Sequence, residues 1–143
     1  MSIKQLSIFL ENKSGRLTEV LETLGQEKIN IAAMSIADTS EYGILRLIVS
    51  DPEEALRLLK NKGFSVNMTD VIAIETPTYA GAFAEALKHF SDAQVGIEYM
   101  YAFELDNNGI IVMRTDDRQK AFKIIESNKL RLVSGNDIFK EKK

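Results

Sequence analysis

A repeat within the sequence constrains what this chain can fold into more than any other feature. Sliding the 143 residues along themselves places Gly15 on Gly81 at an offset of 66 (81 less 15) with no gap. At that offset Ile8 meets Ile74, Glu19 meets Glu85, Leu21 meets Leu87, Ile31 meets Ile97 and Met34 meets Met100. Gly43 meets Gly109, Ile44 meets Ile110, Asp51 meets Asp117 and Ala55 meets Ala121. Apolar spacing agrees with the identities. Leu17, Val20, Leu21 and Leu24 follow i, i+3, i+4, i+7, and Phe83, Ala86, Leu87 and Phe90 repeat it, so both stretches read as amphipathic helices. The chain therefore divides into two copies of one unit, at 1–68 and 69–143.

In the first copy Leu6, Ile8 and Leu10 alternate as a strand, the ENKSG turn follows, and a helix runs from about Arg16 to Glu27. A second strand starts near Ile29, turns at SEYG and returns as ILRLIV, a hairpin marked by Gly43. Asp51 can cap a further helix, Pro52 suits its first position, and Glu54 completes a capping box before Ala55, Leu58 and Leu59. Gly63 stops that helix, and FSV supplies a fourth strand. The order β-α-β-β-α-β is the split βαβ, ferredoxin-like pattern of an α+β fold. The second copy repeats it: VIAIE from Val71, a helix from about Gly81 to Phe90, VGIEYMYAFEL, the DNNG turn, IIVMR, a helix from about Arg118 to Ser127, and LRLV. Only NMTD separates the two copies, which predicts tight tethering. The expected architecture is a continuous antiparallel sheet with helices on one face.

Composition excludes several chemistries. Lys and Arg total 18 against 21 Asp and Glu, a net charge of -3, so no basic excess is available to neutralise nucleic-acid phosphates. With no cysteine there are no disulfides, thiolate nucleophiles or thiolate metal sites, and the single His89 rules out a multi-histidine metal centre. His89 reads as a solvated helix residue, and Asp116 and Asp117 as helix-opening carboxylates that cap free N–H groups. Tyr99, Tyr101 and Phe103 share one face of a strand and Met100 and Ala102 the other, a pattern suited to packing rather than to stacking bases. No cofactor is implied. The amino terminus has an apolar run broken at Gln5 and Ser7, and no stretch approaches the roughly 18 apolar residues of a membrane span, so a cytoplasmic location is expected.

The remaining feature is the ENKSGRL turn, which joins a strand to a helix, leaves N–H groups at the helix start unpaired and can attract an anion. The stretch LENKSGRLTEVLETLGQEKINIAAMSIA resembles the opening half of an ACT domain. Asn12, Gly15, Leu17, Asn30 and Ile31 fill the places of its N-x-P-G-x-L turn and VNI-like second strand, with Ser14 in place of the proline. The likeness is strongest to the regulatory ACT domains of phosphoglycerate dehydrogenases, although Leu10 stands where those carry a histidine. It implies Asn12 and Asn30 as ligand contacts, with Lys13, Ser14, Gly15, Arg16, Leu17, Ile31 and Met34 around them. The second copy carries the pattern in TYAGAF and VGI, with Thr78 and Gly96 where the asparagines would be. There Tyr79, Ala80, Gly81, Ala82, Phe83, Gly96, Ile97 and Met100 are the candidates. Together the copies resemble the stand-alone tandem ACT proteins.

In such a sheet the first and second strands are parallel, so Asn12 at the end of one and Asn30 at the start of the other lie at opposite edges. The helix between them, about 12 residues at 1.5 Å each, spans roughly 18 Å, longer than an amino acid. A second domain must supply half the site, either the other copy or the first copy of a second chain in a homodimer. The expected function is a non-catalytic regulatory protein that binds a free amino acid at a domain or subunit interface and signals to an enzyme or regulator in trans. The ligand's carboxylate would meet N–H groups from Ser14 to Leu17. Met34 and Met100 favour an apolar, aromatic or imidazole side chain. The alternative is an assembly module whose sheet edge binds protein and whose turn holds no ligand. An acylphosphatase-like enzyme on this fold would need an arginine and an asparagine around a phosphate loop, for which Arg16 in the turn is the only candidate.

Overall fold

Residues 3–11, 15–38 and 42–140 are described by the computed structural model, and they divide between Asp70 and Val71 into two units. The first unit holds β1 (Ile3–Glu11, from Lys4 on), α1 (Arg16–Gln26), β2 (Ile31–Asp38), β3 (Tyr42–Val49), α2 (Pro52–Asn61) and the opening of β4 (Ser65–Thr76). Its strands lie in the order β2-β3-β1-β4, with β3 antiparallel to both β1 and β2. The second unit holds the rest of β4, then α3 (Ala82–Asp92), β5 (Ile97–Leu105), β6 (Asn108–Thr115), α4 (Arg118–Ser127), β7 (Arg131–Leu132) and α5 (Gly135–Ile138). Its strand order is β5-β6-β4-β7, with every pair antiparallel. Both units thus have the split βαβ order, and the fold is α+β.

The same backbone devices recur 66 residues apart. Gly15 and Gly81 cap α1 and α3 in the left-handed region, at φ 89° and ψ -9° and φ 89° and ψ -4°. Lys28 and Gln94 end those helices at φ 58° and 59°, and each is followed by an N–H that reaches back: Ile29 to the Leu24 carbonyl at 3.0 Å, Val95 to the Phe90 carbonyl at 2.9 Å. Asp51 and Asp117 cap α2 and α4, accepting from the Glu54 N–H at 3.2 Å and the Lys120 N–H at 3.0 Å. The capping box expected at Glu54 is replaced by an ion pair: its carboxylate turns to Arg57 one turn on, with Arg57 Nε donating at 2.9 Å. That pair holds the Glu54 carboxyl below its usual range, first through the hydrogen bond.

Each core lies between one sheet face and two helices. In the first unit Leu6, Ile8 and Leu10 of β1 and Leu45, Leu47 and Val49 of β3 pack with Val20 and Leu24 of α1 and Ala55 and Leu59 of α2. In the second, Ile72, Ile74, Ile111 and Met113 pack with Ala86 and Phe90 of α3 and Ala121, Ile124 and Ile125 of α4. Fully burying side chains of this size stabilises by about 1.5 to 3 kcal/mol apiece.

Two features differ from the sequence reading. NMTD is not a linker, because β4 runs unbroken from Ser65 to Thr76. Within it Asp70 receives the ammonium of Lys4, on neighbouring β1, at 2.8 Å. The four-residue α5 was not expected, being too short to show a period. A reciprocal capping box fixes it, in which the Asp137 N–H donates to Ser134 Oγ at 3.1 Å and the Ser134 N–H to the Asp137 carboxylate at 2.9 Å.

Candidate functional site

The second unit has a cavity of about 410 Å³ where β4 ends and α3 begins. One wall is the Pro77–Tyr79 turn with Gly81 and the first residues of α3, Ala82 to Ala84; the other is Ala102 to Glu104 of β5 and Gly109 of β6. The turn is held at several points. The Ala82 N–H donates to the Tyr79 carbonyl at 3.1 Å, and the Tyr79 hydroxyl donates to the Glu85 carboxylate one turn into α3. That hydrogen bond, aided by desolvation and the Glu85 charge, raises the Tyr79 hydroxyl above its ordinary pKa. Gly81 places no side-chain cap on α3, so the first-turn N–H groups at Phe83 and Ala84 face this end of the helix with no partner from the helix itself.

Gly109 makes the cavity possible. A Cβ there would stand 2.7 Å from Thr76 Oγ1 and 2.9 Å from Phe83 Cε1, so the Phe83 ring lies against the glycine. Gly109 pairs with Glu104 across the β5–β6 ladder, Ala102 with Ile111 and Met100 with Met113. Ile111 and Met113 belong to the core beneath α3 and α4, so Ala102 and Glu104 project on the helix side of the sheet.

Of the second-copy candidates, Tyr79, Gly81, Ala82 and Phe83 line this cavity, while Ala80 is in the turn and not among its lining residues. Gly96, Ile97 and Met100 do not line it. Thr76 pairs with Gly109 at one end of β6 and Ile97 with Thr115 at the other, which separates the two groups by the length of a strand. Gly96 is tied to Asp116: the Gly96 N–H donates to Asp116 Oδ1 at 3.0 Å, and the Asp116 N–H donates to the Gly96 carbonyl at 3.0 Å. Met100 is on the outermost strand of its unit, partly exposed.

In the first unit Asn12, Lys13 and Ser14 lie outside the described residues. Gly15 caps α1, and Leu17 packs against the core. Arg16 is committed locally: its guanidinium meets Glu19 at 2.9 Å and stacks over the Phe64 ring, 4.3 Å from the centroid. Asn30 is exposed and donates its N–H to Ser50 Oγ at 2.9 Å, while the Ser50 N–H donates to the Asn30 carbonyl at 2.9 Å. Glu11, the residue before Asn12, pairs with Tyr42 at one end of β3, and Ile31, the residue after Asn30, with Val49 at the other. The strand ends that carry the two asparagines are therefore at opposite edges, as the parallel crossover predicts. Met34 is 44% exposed on β2, the outer strand of its unit.

The sequence reading missed Pro77, Ala84, Ala102, Phe103, Glu104 and Gly109 as wall residues, and named Thr78 as the counterpart of the first copy's asparagine. The match of Gly43 with Gly109 was the available signal, since a glycine retained in both copies at a hairpin marks close approach of another element. Glu104 carried no signal of its own. Among the described residues no group of His, Cys, Asp or Glu could hold a metal ion, and no helix is long and apolar enough to cross a membrane. His89 sits half-buried in the last turn of α3.

Residues 1–141 match a family model described as an ACT domain pair. The chain belongs to that ACT family. Protein BT0572 of Bacteroides thetaiotaomicron is similar at 47% identity, with 99% of this chain and 98% of that one covered at a TM-score of 0.92. The regulatory subunit of aspartate kinase from Thermus thermophilus, in ligand-free form, shares the fold at 12% identity and a TM-score of 0.64, over 87% of this chain and 90% of that one. The corresponding subunit from Thermus flavus does so at 13% identity and 0.61, over the same shares. No curated protein sequence matches. As an ACT domain pair, the chain is of a kind with regulatory domains that bind amino acids.

Proposed function

We propose that this ACT pair is a non-catalytic regulatory protein that binds a free amino acid and passes the signal to an enzyme or regulator in trans. The observation that carries this reading is the second unit's cavity, which at about 410 Å³ falls within the roughly 300 to 1,000 Å³ of small-molecule sites. Its walls are largely apolar, and one of them is the start of α3, where unpaired N–H groups and the positive end of the helix suit a carboxylate. Ala82, Phe83 and Ala102 favour an apolar or aromatic side chain over a polar one.

For the first unit, the placement of the Asn12 and Asn30 strand ends at opposite edges supports a site completed by a second copy of the chain, hence a homodimer with both asparagines in each of two equal sites. A ligand bridging two copies shifts their pairing only by its differential affinity, commonly about 1 to 3 kcal/mol. Arg16, already paired with Glu19 and stacked on Phe64, argues against acyl-phosphate chemistry.

Thermal melting of the protein against each of the twenty amino acids at millimolar concentration tests the reading. A ligand at 100 times its dissociation constant stabilises the native state by about 2.7 kcal/mol, a shift of several degrees at this chain length. A response confined to one chemical group of amino acids is the expected result. Melting and oligomeric state indifferent to all twenty would transfer the function to the assembly module.

A further inference from the structure

The cavity beside α3 has one charged side chain among its described lining residues, Glu104; no lysine, arginine or histidine lines it. Among the described residues no hydrogen bond or ion pair engages the Glu104 carboxylate. Arg114, toward the far end of β6, is paired with Glu98 at 3.2 Å, and Lys140 of the carboxy-terminal segment with Asp106 at 3.7 Å. The ladder fixes where Glu104 points: it is opposite Gly109 and on the same strand face as Ala102, whose partner Ile111 is in the core beneath α3. Gly109 in turn carries the Phe83 ring against it. Glu104 and the apolar wall at Phe83 therefore flank one glycine.

We propose that Glu104 reads the ammonium group of the ligand and so makes the site specific for compounds with a free amine beside an apolar body. This rests on the amino-acid reading above and adds to it the residue that rejects the deaminated analogue. An apolar cavity with a lone carboxylate repels a simple carboxylic acid, whereas an amine offers up to three N–H donors to the same oxygens in a charge-assisted bond. Discrimination comes from the cost to the wrong ligand as much as from the gain to the right one: without an amine, the Glu104 charge faces a second carboxylate with no cation lining the cavity to offset it.

The test uses the full chain, calorimetric titration, and two probe pairs: L-leucine with 4-methylpentanoate, and L-phenylalanine with 3-phenylpropanoate. The wild type should bind one of the amino acids and its deaminated partner at least tenfold more weakly. Glu104→Gln should weaken the amino acid by about tenfold to a hundredfold, as expected for a hydrogen bond to a charged group, and narrow the gap to the deaminated acid. Ala102→Phe, which fills the cavity and leaves the carboxylate in place, serves as the control. Loss of binding in Ala102→Phe with no change in Glu104→Gln overturns the role of Glu104 and leaves the amino-acid site standing. Binding unchanged in both variants places the ligand elsewhere and overturns the inference and the cavity together. Binding of neither amino acid by the wild type overturns it also. Circular dichroism and melting of both variants check that each is folded.

Discussion

Asp116 holds its carboxylate over Gly96, accepting the Gly96 N–H at 3.0 Å from a position where a Cβ on that glycine would stand 2.6 Å from Oδ2. The corresponding pair in the first unit is Asn30 and Ser50, with the shorter hydroxyl accepting the Asn30 N–H at 2.9 Å. The two pairs differ in size: in the second unit a carboxylate acceptor faces a glycine, in the first a hydroxyl acceptor faces an asparagine. The glycine at the second asparagine's place thus fits the local packing around Asp116.

Gly96→Asn should displace the Asp116 carboxylate and cost about 1 to 3 kcal/mol through overpacking and a lost backbone partner. Adding Asp116→Ser recreates the first unit's pair and should recover most of that loss. Urea denaturation of the two single variants and the double variant reads the coupling; additive losses would show that the pairing is incidental.

The left-handed caps provide a second check. A Cβ at Gly81 meets nothing within 4 Å, so Gly81→Ala tests backbone conformation alone. At φ 89° an L-residue is strained, and the expected loss is roughly 1 to 2 kcal/mol. Gly81→Asn should lose less, because asparagine tolerates this region better than alanine. Equal stability of the wild type and Gly81→Ala would mean that the α3 start has another conformation.

Phe83 and Phe90 share one apolar stripe in the sequence, and burial separates them. Phe90 is fully buried, whereas Phe83 is 40% exposed on the cavity wall. Phe90→Ala should cost about 3 to 5 kcal/mol. Phe83→Ala should cost markedly less stability while altering ligand binding. The comparison is made by denaturation midpoints together with amino-acid titration of both variants.

What could be read in the sequence follows from how far each feature depends on distant chain. The helix starts at Gly15 and Gly81, the caps at Asp51 and Asp117 and the helix stop at Gly63 depend on residues a few positions away, and the repeat exposed them in pairs. β4 runs through NMTD beside β1, where Lys4 meets Asp70 across 66 residues of sequence, and no local pattern reports such a partner, so NMTD reads as a linker. The same holds at the site. The turn at Tyr79 to Phe83 was visible as a motif, but its opposite wall comes from β5 and β6, and a single glutamate in an alternating strand looks like any solvent-facing residue. The repeat position of Gly96 points to the site, whereas the strand pairing places it at the other end of β6.

The Tyr79–Glu85 pair gives a prediction in pH. The Glu85 carboxylate accepts the Tyr79 hydroxyl and raises its pKa above the ordinary value of 10.0. For a group whose folded pKa is raised, the stabilisation is fully present below the unfolded value and is lost as pH rises through the folded one. The turn beside the cavity should therefore keep this bond at neutral pH and release it only at strongly alkaline pH. In an ultraviolet titration Tyr79 should ionise later than a free tyrosine, and Tyr79→Phe should remove that late component. Glu85→Gln should bring it back toward the ordinary value, because the charge and the acceptor that hold the proton are weakened together. Because the pair is exposed to solvent, neither substitution should change global stability much, and the effect to look for is faster ligand release once the turn is no longer tied to α3. A late-ionising tyrosine that persists in Tyr79→Phe would assign the shift to another residue.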